Sequence, residues 1–310
     1  MISRRNFVAA VAAAAVMPKK IFASSAADFD ETAAVFLADI HINGQSGKKM
    51  LNFLRSNVAE ILRMDPLPRH VFVFGDIAHT VGRKIDYDKA YPELKLLTDA
   101  GIKLTLGLGN HDHRQPFFER WPEYEKLSVV SGEALTVTSL PDYDMIMLDS
   151  LYETGKIGAL NEVHGAISSS AQEWILENLP NWKRPFFIGA HHPETQIRFA
   201  GKMGGLKAEM SKFPNCRGFI NGHTHVWITN YVDSKNPNTV PWLTLPSSGC
   251  WGDIGYATFK VGQWRGRKAA IASLIQKDFF LRNPVPKNKR PPLWDMRMEH
   301  NKGAKCIFAI

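Results

Sequence analysis

The first 225 residues alternate short apolar runs with longer stretches in which apolar positions recur at helical spacing. Short apolar runs bounded by glycine or polar residues indicate buried strands, and apolar residues three and four apart indicate amphipathic helices. We predict strands at residues 33–38, 70–74, 102–108, 144–148, 185–189 and 217–220. We predict helices at 48–64, 88–100 and 206–212, and another after the capping-box pattern of Ser170 and Glu173.

Beyond residue 225 the pattern changes to a succession of strands. We predict them at residues 226–232, 240–245, 256–261 and 268–275. Alternating strands and helices followed by a run of strands predict a layered α/β or α+β sandwich. Residues 284–310 hold four prolines and six basic residues, and we predict a tail without a core of its own.

Polar side chains follow five of the predicted strands, at the point where each strand ends. They are Asp39 and His41, Asp76, Asn110 and His111, His191, and His223 and His225. Ligands of open α/β sheets bind at the carboxyl ends of strands, and Gly109 allows a sharp turn there. Imidazole, carboxylate and amide donors together suit Zn, Mn or Fe. Each residue alone also fits a polar turn or a structural histidine, but the ordered set favours a metal site.

The number of donors indicates two ions. Seven ligands are too many for one tetrahedral site but enough for two five- or six-coordinate ions, and the two oxygens of Asp76 can bridge them. Such pairs, about 3.5–4 Å apart, stabilise both the attacking and the leaving oxygen of a displacement. Two divalent ions, two aspartates and a hydroxide keep a net positive charge, which favours an anionic substrate such as a phosphate ester.

Charge and composition narrow the function classes. The chain has 310 residues, 45% of them hydrophobic and 22% charged, which is typical of a globular protein. The net charge of +8 comes from residues 1–27 and 284–310, which carry +4 each, so the body between them is neutral. We therefore expect no nucleic-acid-binding face. Three cysteines, Cys216, Cys250 and Cys306, argue against a disulfide framework, and Cys250 fits a small buried hydrophobic residue.

The N-terminus has the three zones of a bacterial export signal. Arg4 and Arg5 precede an apolar stretch at residues 7–17, and small residues follow at 23–27. The paired arginines resemble the twin-arginine type. Eleven apolar residues are too few for a bilayer span, which needs about 20, so no stable membrane span is expected. We predict a signal at residues 1–27 and a periplasmic protein; a short buried helix, secretion or peripheral membrane association are the alternatives.

The polar set as a whole resembles the calcineurin-like metallophosphoesterase superfamily, over residues 34–225. The motifs are Asp39-x-His41, Gly75-Asp76, Gly109-Asn110-His111-Asp112, His191 and Gly222-His223-x-His225. The resemblance implies a four-layer α/β/β/α sandwich of two mixed sheets at residues 28–283, with two divalent or mixed-valence metal ions at the strand ends. It implies that Asp39, His41, Asp76 and His225 hold one ion, and that Asp76, Asn110, His191 and His223 hold the other. By the same analogy His111 protonates the leaving group of a small-molecule phosphoester and Asp112 orients it.

A narrower resemblance, to the cyclic-nucleotide phosphodiesterase-like branch, rests on Asp149-Ser150, Gly158-Ala159-Leu160, Gln172-Glu173-Trp174 and Arg114. Arg114 is the candidate phosphate contact, with an ordinary surface arginine as the alternative. His79 stands where this branch often has aspartate, and we expect it to lie behind the ligands. The expected activity is that of a phosphodiesterase. A phosphomonoesterase or nucleotidase, and a non-catalytic metal-binding interaction module, are the alternatives.

Overall fold

A computed structural model describes residues 34–46, 48–199, 201–230, 240–282 and 293–310. The predicted export signal at residues 1–27 lies outside these ranges. Within them the strands are β1 (Ala34–Leu37), β2 (His70–Phe74), β3 (Lys103–Gly107), β4 (Thr136–Ser139), β5 (Asp144–Met147), β6 (Gly165–Ile167), β7 (Phe186–Ala190), β8 (Ile197–Phe199), β9 (Cys216–Asn221), β10 (Ile228–Asn230), β11 (Trp242–Thr244), β12 (Gly252–Trp264), β13 (Arg267–Phe280) and β14 (Lys305–Ala309). The helices are α1 (Lys48–Ile61), α2 (Lys84–Asp99), α3 (Arg114–Arg120), α4 (Glu123–Leu127), α5 (Ser169–Asn178), α6 (Leu206–Met210) and α7 (Leu293–His300).

Two mixed six-stranded sheets form the centre of the fold. The first has the order β14-β13-β12-β1-β2-β3, in which β1, β2 and β3 are parallel and the others antiparallel. The second has the order β10-β11-β9-β7-β5-β4, with β11, β9, β7 and β5 parallel. The strands β6 and β8 form a small separate pair.

Successive side chains of a strand point to opposite faces of its sheet, and each face packs against a different layer of the fold. In β1, Phe36 points into a core between the two sheets, while its neighbours Val35 and Leu37 pack with α1 and α2. In β5, Met145 faces the same central core, while Ile146 packs with α5 and α6 on the opposite side. The observed architecture is therefore the expected four-layer α/β/β/α sandwich.

Helix α2 begins four residues before the predicted start at 88. The carboxylate of Asp86 explains the earlier start, because Oδ2 accepts a hydrogen bond from the N–H of Arg83 at 3.0 Å. Its Oδ1 accepts one from Gly44 at 2.6 Å, which fastens the helix start to the loop after β1. An acidic group in the first turn also suits the helix dipole.

The C-terminal residues differ from the predicted tail. Strand β14 pairs antiparallel with β13 from Lys305 to Ala309, and Phe308 is fully buried between the two sheets. Arg297 of α7 forms a 2.6 Å ion pair with the buried Asp253. Alternating apolar residues at 304–310 outweigh the basic composition of the segment, so residues 305–309 form an edge strand of the first sheet. None of the helices in the described ranges is long and apolar enough to cross a membrane.

Candidate metal centre

The loops that leave β1, β2, β3, β7 and β9 meet at one edge of the two sheets, where each parallel strand has its carboxyl end. Six non-glycine residues in the described ranges have a positive φ, and five belong to these loops. Left-handed backbone is costly for such residues and is typical of functional sites. The five are Asp39, His41, Asp76, His223 and His225, with φ between 51° and 71°.

Close approach of two of these loops requires Gly109. A Cβ atom at this position would lie 2.2 Å from Oδ1 of Asp76, which no real side chain tolerates. The missing side chain lets the N–H of His111 donate to the same Oδ1 at 2.9 Å. The loop after β3 is thereby held against the carboxylate at the end of β2.

One group of donors brings together the ends of β1 and β9. The Nε2 atoms of His41 and His225 are 3.1 Å apart. The Nε2 of His225 lies 3.2 Å from Oδ1 of Asp39, and the Nε2 of His41 lies 3.5 Å from Oδ2 of Asp76. All four side chains are at most 3% exposed.

A second group surrounds the Nε2 atom of His191. This nitrogen lies 3.3 Å from Oδ2 of Asp76, 3.1 Å from Nδ1 of His223 and 3.2 Å from Oδ1 of Asn110. The Oδ2 atom of Asp76 therefore faces both groups. The seven residues predicted as ligands are all brought together, and Asp76 occupies the shared position.

In His225 and His191, a hydrogen bond at one ring nitrogen determines which nitrogen faces the centre of the site. Nδ1 of His225 lies 3.1 Å from the carbonyl oxygen of Trp251, and Nδ1 of His191 lies 2.9 Å from that of Phe74. A carbonyl only accepts, so each Nδ1 carries a proton, and Nε2 is the ring nitrogen that faces the centre and can bind a cation there. Such backbone partners on the outer ring nitrogen are typical of metal-binding histidines.

The pKa values of Asp76, His41 and His191 reflect their burial and the short distances between them. Burial alone would raise the pKa of Asp76, but His191, His41 and His111 hold it well below its ordinary value. Burial lowers the pKa of His41 to about 3, against the attraction of Asp76. Burial would also lower the pKa of His191, but Asp76 raises it to about 9. The buried carboxylates thus draw positive charge towards the centre.

Comparison with known proteins gives the family. Residues 33–227 match the profile described as calcineurin-like phosphoesterase. The chain belongs to this family. Its members are phosphoesterases by that description, and this chain has the donors that a two-metal phosphoesterase needs.

Individual relatives are distant. A probable cyclic nucleotide phosphodiesterase from Psychrobacter arcticus is 27% identical over 167 residues, which are 50% of this chain and 56% of the relative. A dimetal phosphatase from Danio rerio has a similar fold, with a TM-score of 0.60, 14% identity, and coverage of 80% of this chain and 96% of that one. A purple acid phosphatase from yellow lupin follows with a TM-score of 0.52, 12% identity, and coverage of 79% and 51%. These two structures support the fold.

Five of the seven donors line a cavity of about 1340 Å³: His41, Asp76, Asn110, His223 and His225. His111 lines it, with its ring 5.1 Å from that of His41 and its Nδ1 3.0 Å from the carbonyl oxygen of Thr80. His79 also lines the cavity, half-buried, with its ring centre 5.5 Å from that of His41 in an edge-on arrangement. The outer wall is largely apolar and includes Leu160, Val163, Trp251 and Phe280.

The predicted role of Asp112 requires correction. It does not contact the ring of His111, because its two oxygens are occupied by Tyr87 O–H and by the N–H groups of Ala78, Ile77 and Gly109. The carbonyl of Thr80 holds His111 instead. The family resemblance suggested the wrong partner, because Asp112 points beneath the loop rather than along it.

The substrate-binding role predicted for Arg114 is also at odds with the structure. Its guanidinium donates to Asp149 at 2.8 Å, to Glu153 at 3.0 Å and to the carbonyl oxygen of Leu151 at 2.8 Å. It does not line the cavity that holds the donors. Arg114 thus ties the start of α3 to the loop after β5, a role that neither of the two alternatives included.

Asn161 was missed by sequence analysis. Its buried side chain donates to the carbonyl oxygens of Asn110 at 3.2 Å and Asp112 at 2.7 Å, so it holds the loop after β3 from the outside. It lies in a long loop with no periodic pattern, and its sequence neighbours do not indicate a role at the site.

His192, beside the predicted ligand His191, forms a hydrogen bond with Ser150 through Nδ1 at 2.8 Å.

Proposed function

We propose that this chain hydrolyses phosphoester bonds of small molecules with two bound metal ions, and that it prefers phosphodiesters. The observation that carries the proposal is the pair of donor groups that share Oδ2 of Asp76. Two ions in these groups would polarise the phosphoryl oxygens and lower the pKa of a water molecule. Mn, Fe and Zn are the candidate metals, since the donors are imidazoles, carboxylates and one amide.

The ligands divide between the ions according to these contacts. Asp39, His41 and His225 would hold one ion together with Asp76. Asn110, His191 and His223 would hold the other together with Asp76. The seven side chains come from both sheets, so closure of the sandwich sets the distance between the two groups.

His111 is the proposed proton donor to the leaving oxygen. The carbonyl of Thr80 accepts the Nδ1 proton, which leaves Nε2 to exchange a proton with the substrate. The main chain of His111 is itself fixed by its hydrogen bond to Asp76. A positioned acid contributes about 10²–10⁴-fold to the rate.

Two observations favour a diester. A diester carries a second organic group, and the apolar wall of Leu160, Val163, Trp251 and Phe280 lies beside the donors to receive it. The relative from Psychrobacter arcticus is named a probable cyclic nucleotide phosphodiesterase. The alternative is a phosphomonoesterase or nucleotidase that uses the same donors.

A substrate panel tests the proposal. Chelator-treated protein supplied separately with Mn, Fe or Zn is assayed with bis-p-nitrophenyl phosphate, p-nitrophenyl phosphate and cyclic nucleotides. We expect metal-dependent hydrolysis with a higher kcat/KM for the diesters. Faster hydrolysis of the monoester would favour the alternative, and no hydrolysis with any metal would contradict the proposal.

His111→Ala separates acid catalysis from metal binding. The variant should keep two metal ions and lose about 10²–10⁴-fold in rate with poor leaving groups, but less with p-nitrophenol, which needs little protonation. His300→Ala is the matched control, because His300 is an exposed histidine at the end of α7. An equal loss for all leaving groups would exclude the acid role.

We also propose that the chain is exported by the twin-arginine route. The support is the sequence pattern of residues 3–27, in which Arg4 and Arg5 precede the apolar stretch. Replacement of both arginines by lysine should retain the protein in the cytoplasm, as measured by cell fractionation. Unchanged fractionation would contradict this route.

A further inference from the structure

Cys250 places a thiol beside the donor group formed by His41 and His225. Its Sγ and one ring nitrogen of each histidine lie within 4.8 Å of one another. Sulfur and imidazole donors on one tetrahedral zinc ion are about 3.6 Å apart, so a shift of about 1 Å would bring the thiol onto an ion held by the two histidines. The residue also lines the cavity.

The loop that carries Cys250 is fastened to the loop that carries Asp39. The hydroxyl of Ser247 donates to the carbonyl oxygen of Asp39 at 3.0 Å and accepts the N–H of Cys250 at 2.9 Å. The N–H of Ser248 donates to the carbonyl oxygen of Ala38 at 2.7 Å. Both serines are fully buried, so the core of the protein fixes the backbone of this loop relative to Asp39, and only the Cys250 side chain has to move to reach an ion.

The next residue, Trp251, contacts His225, one of the two histidines of this donor group. Its carbonyl oxygen accepts the Nδ1 proton of His225 at 3.1 Å, and its indole stacks on the imidazole with ring centres 4.2 Å apart. Cys250 and Trp251 together thus present a thiol to the group and orient one of its imidazoles. By contrast, Cys216 and Cys306 are buried in apolar clusters away from the donors.

We propose that Cys250 is an additional ligand for the ion held by Asp39, His41 and His225, and that it makes this position select thiophilic ions such as Zn²⁺ and Co²⁺ over Mn²⁺. Thiolate favours such ions, whereas Mn²⁺ prefers oxygen donors. Binding of the ion displaces the thiol proton to solvent, and no redox partner is required. The inference rests on the proposed metal centre and adds a donor to it.

Cobalt spectroscopy tests the proposal without an activity assay. Chelator-treated protein is titrated with Co²⁺: visible bands report occupancy, and a near-ultraviolet charge-transfer band reports a thiolate bond. The wild type should show both signals, and Cys250→Ala should keep the visible bands and lose the near-ultraviolet one. Cys216→Ala and Cys306→Ala are matched controls that should keep both.

Competition with a chromophoric chelator measures selectivity. Cys250→Ala should lower the affinity for Zn²⁺ by at least about tenfold and change that for Mn²⁺ by less than about twofold. Visible cobalt bands without a charge-transfer band in the wild type would overturn the role of Cys250 and leave the metal centre standing. Absence of any cobalt binding would overturn the metal centre and this inference together.

Discussion

Replacement of Asp112 by asparagine tests how the loops of the metal centre are held. The carboxylate is fully buried and accepts four hydrogen bonds. Its Oδ1 accepts from the N–H of Ala78 at 2.9 Å and the O–H of Tyr87 at 3.1 Å, and its Oδ2 accepts from Gly109 at 2.9 Å and Ile77 at 3.2 Å. Asparagine keeps one oxygen and turns an NH₂ group towards two donors.

The expected loss in the free energy of unfolding follows from the two donors that the NH₂ group would face. Leaving a buried donor unpaired costs about 1–3 kcal/mol, so Asp112→Asn should cost about 2–6 kcal/mol before any compensation. Removing the charge returns part of this, because burial, reinforced by Asp76, raises the pKa of Asp112 to about 6. We therefore expect a net loss of about 2 kcal/mol in the free energy of unfolding.

Urea unfolding at pH 7 in the presence of EDTA measures this loss without a contribution from bound metal. Tyr87→Phe is the comparison variant: it removes one of the four donors and also the oxygen that accepts the N–H of His113 at 2.9 Å, so it should cost about 1–3 kcal/mol. Metal affinity of Asp112→Asn should also fall, since Gly109 and Ile77 adjoin the ligands Asn110 and Asp76. A variant as stable as the wild type to within about 0.5 kcal/mol would refute the assignment of Asp112 as the anchor of these loops.

Three further predictions concern the shared ligand Asp76, the ion pair of Arg114 and the stability of the protein at acid pH. Asp76→Ala should release both metal ions and abolish hydrolysis, and elemental analysis that still finds two ions would exclude the shared position. Arg114→Met should cost about 3 kcal/mol, because the buried carboxylate of Asp149 loses its counter-charge and keeps only the N–H groups of Ala134 and Leu151, while KM changes little; a large rise in KM at unchanged stability would restore the substrate-binding role. Burial lowers the pKa of His70 to about 3, so the folded protein keeps this residue neutral while the unfolded chain protonates it below about pH 6.5. Lowering the pH from 7.5 to 5.5 should therefore destabilise the wild type by about 1.4 kcal/mol more than His70→Phe, and equal slopes in urea unfolding would contradict this.

Much of the fold could be predicted because apolar runs and strand ends are local features. Strand β2 has the predicted bounds, and the polar residues that follow β1, β2, β3, β7 and β9 do meet. Parallel strands place their carboxyl ends at one edge, so a correct strand assignment is enough to bring Asp39, Asp76 and Asn110 together. No measurement of side-chain direction was needed for that inference.

The errors concern the direction in which individual side chains point. Asp112 follows His111 in sequence yet lies beneath the loop, and Arg114 turns to Asp149 rather than to the cavity. Apart from Gly109, the hydrogen-bond partners that set these orientations lie 25 or more residues away, which spacing along the chain does not encode. Strand β14 was missed for a related reason, because its partners in β13 lie 32 or more residues earlier in the chain.

The left-handed residues connect the stability of the fold with the proposed chemistry. Five of them are proposed ligands, and a left-handed backbone conformation costs about 1–3 kcal/mol at each position. Asp112 accepts hydrogen bonds from the surrounding backbone, and Ser247 and Asn161 donate to it, so these side chains oppose that strain from beneath and beside the loops. The donors are thus held near one another by hydrogen bonds of the protein itself. Cations among these buried carboxylates would bind the folded chain more tightly than the unfolded chain, and for this reason metal occupancy and folding stability should be thermodynamically linked.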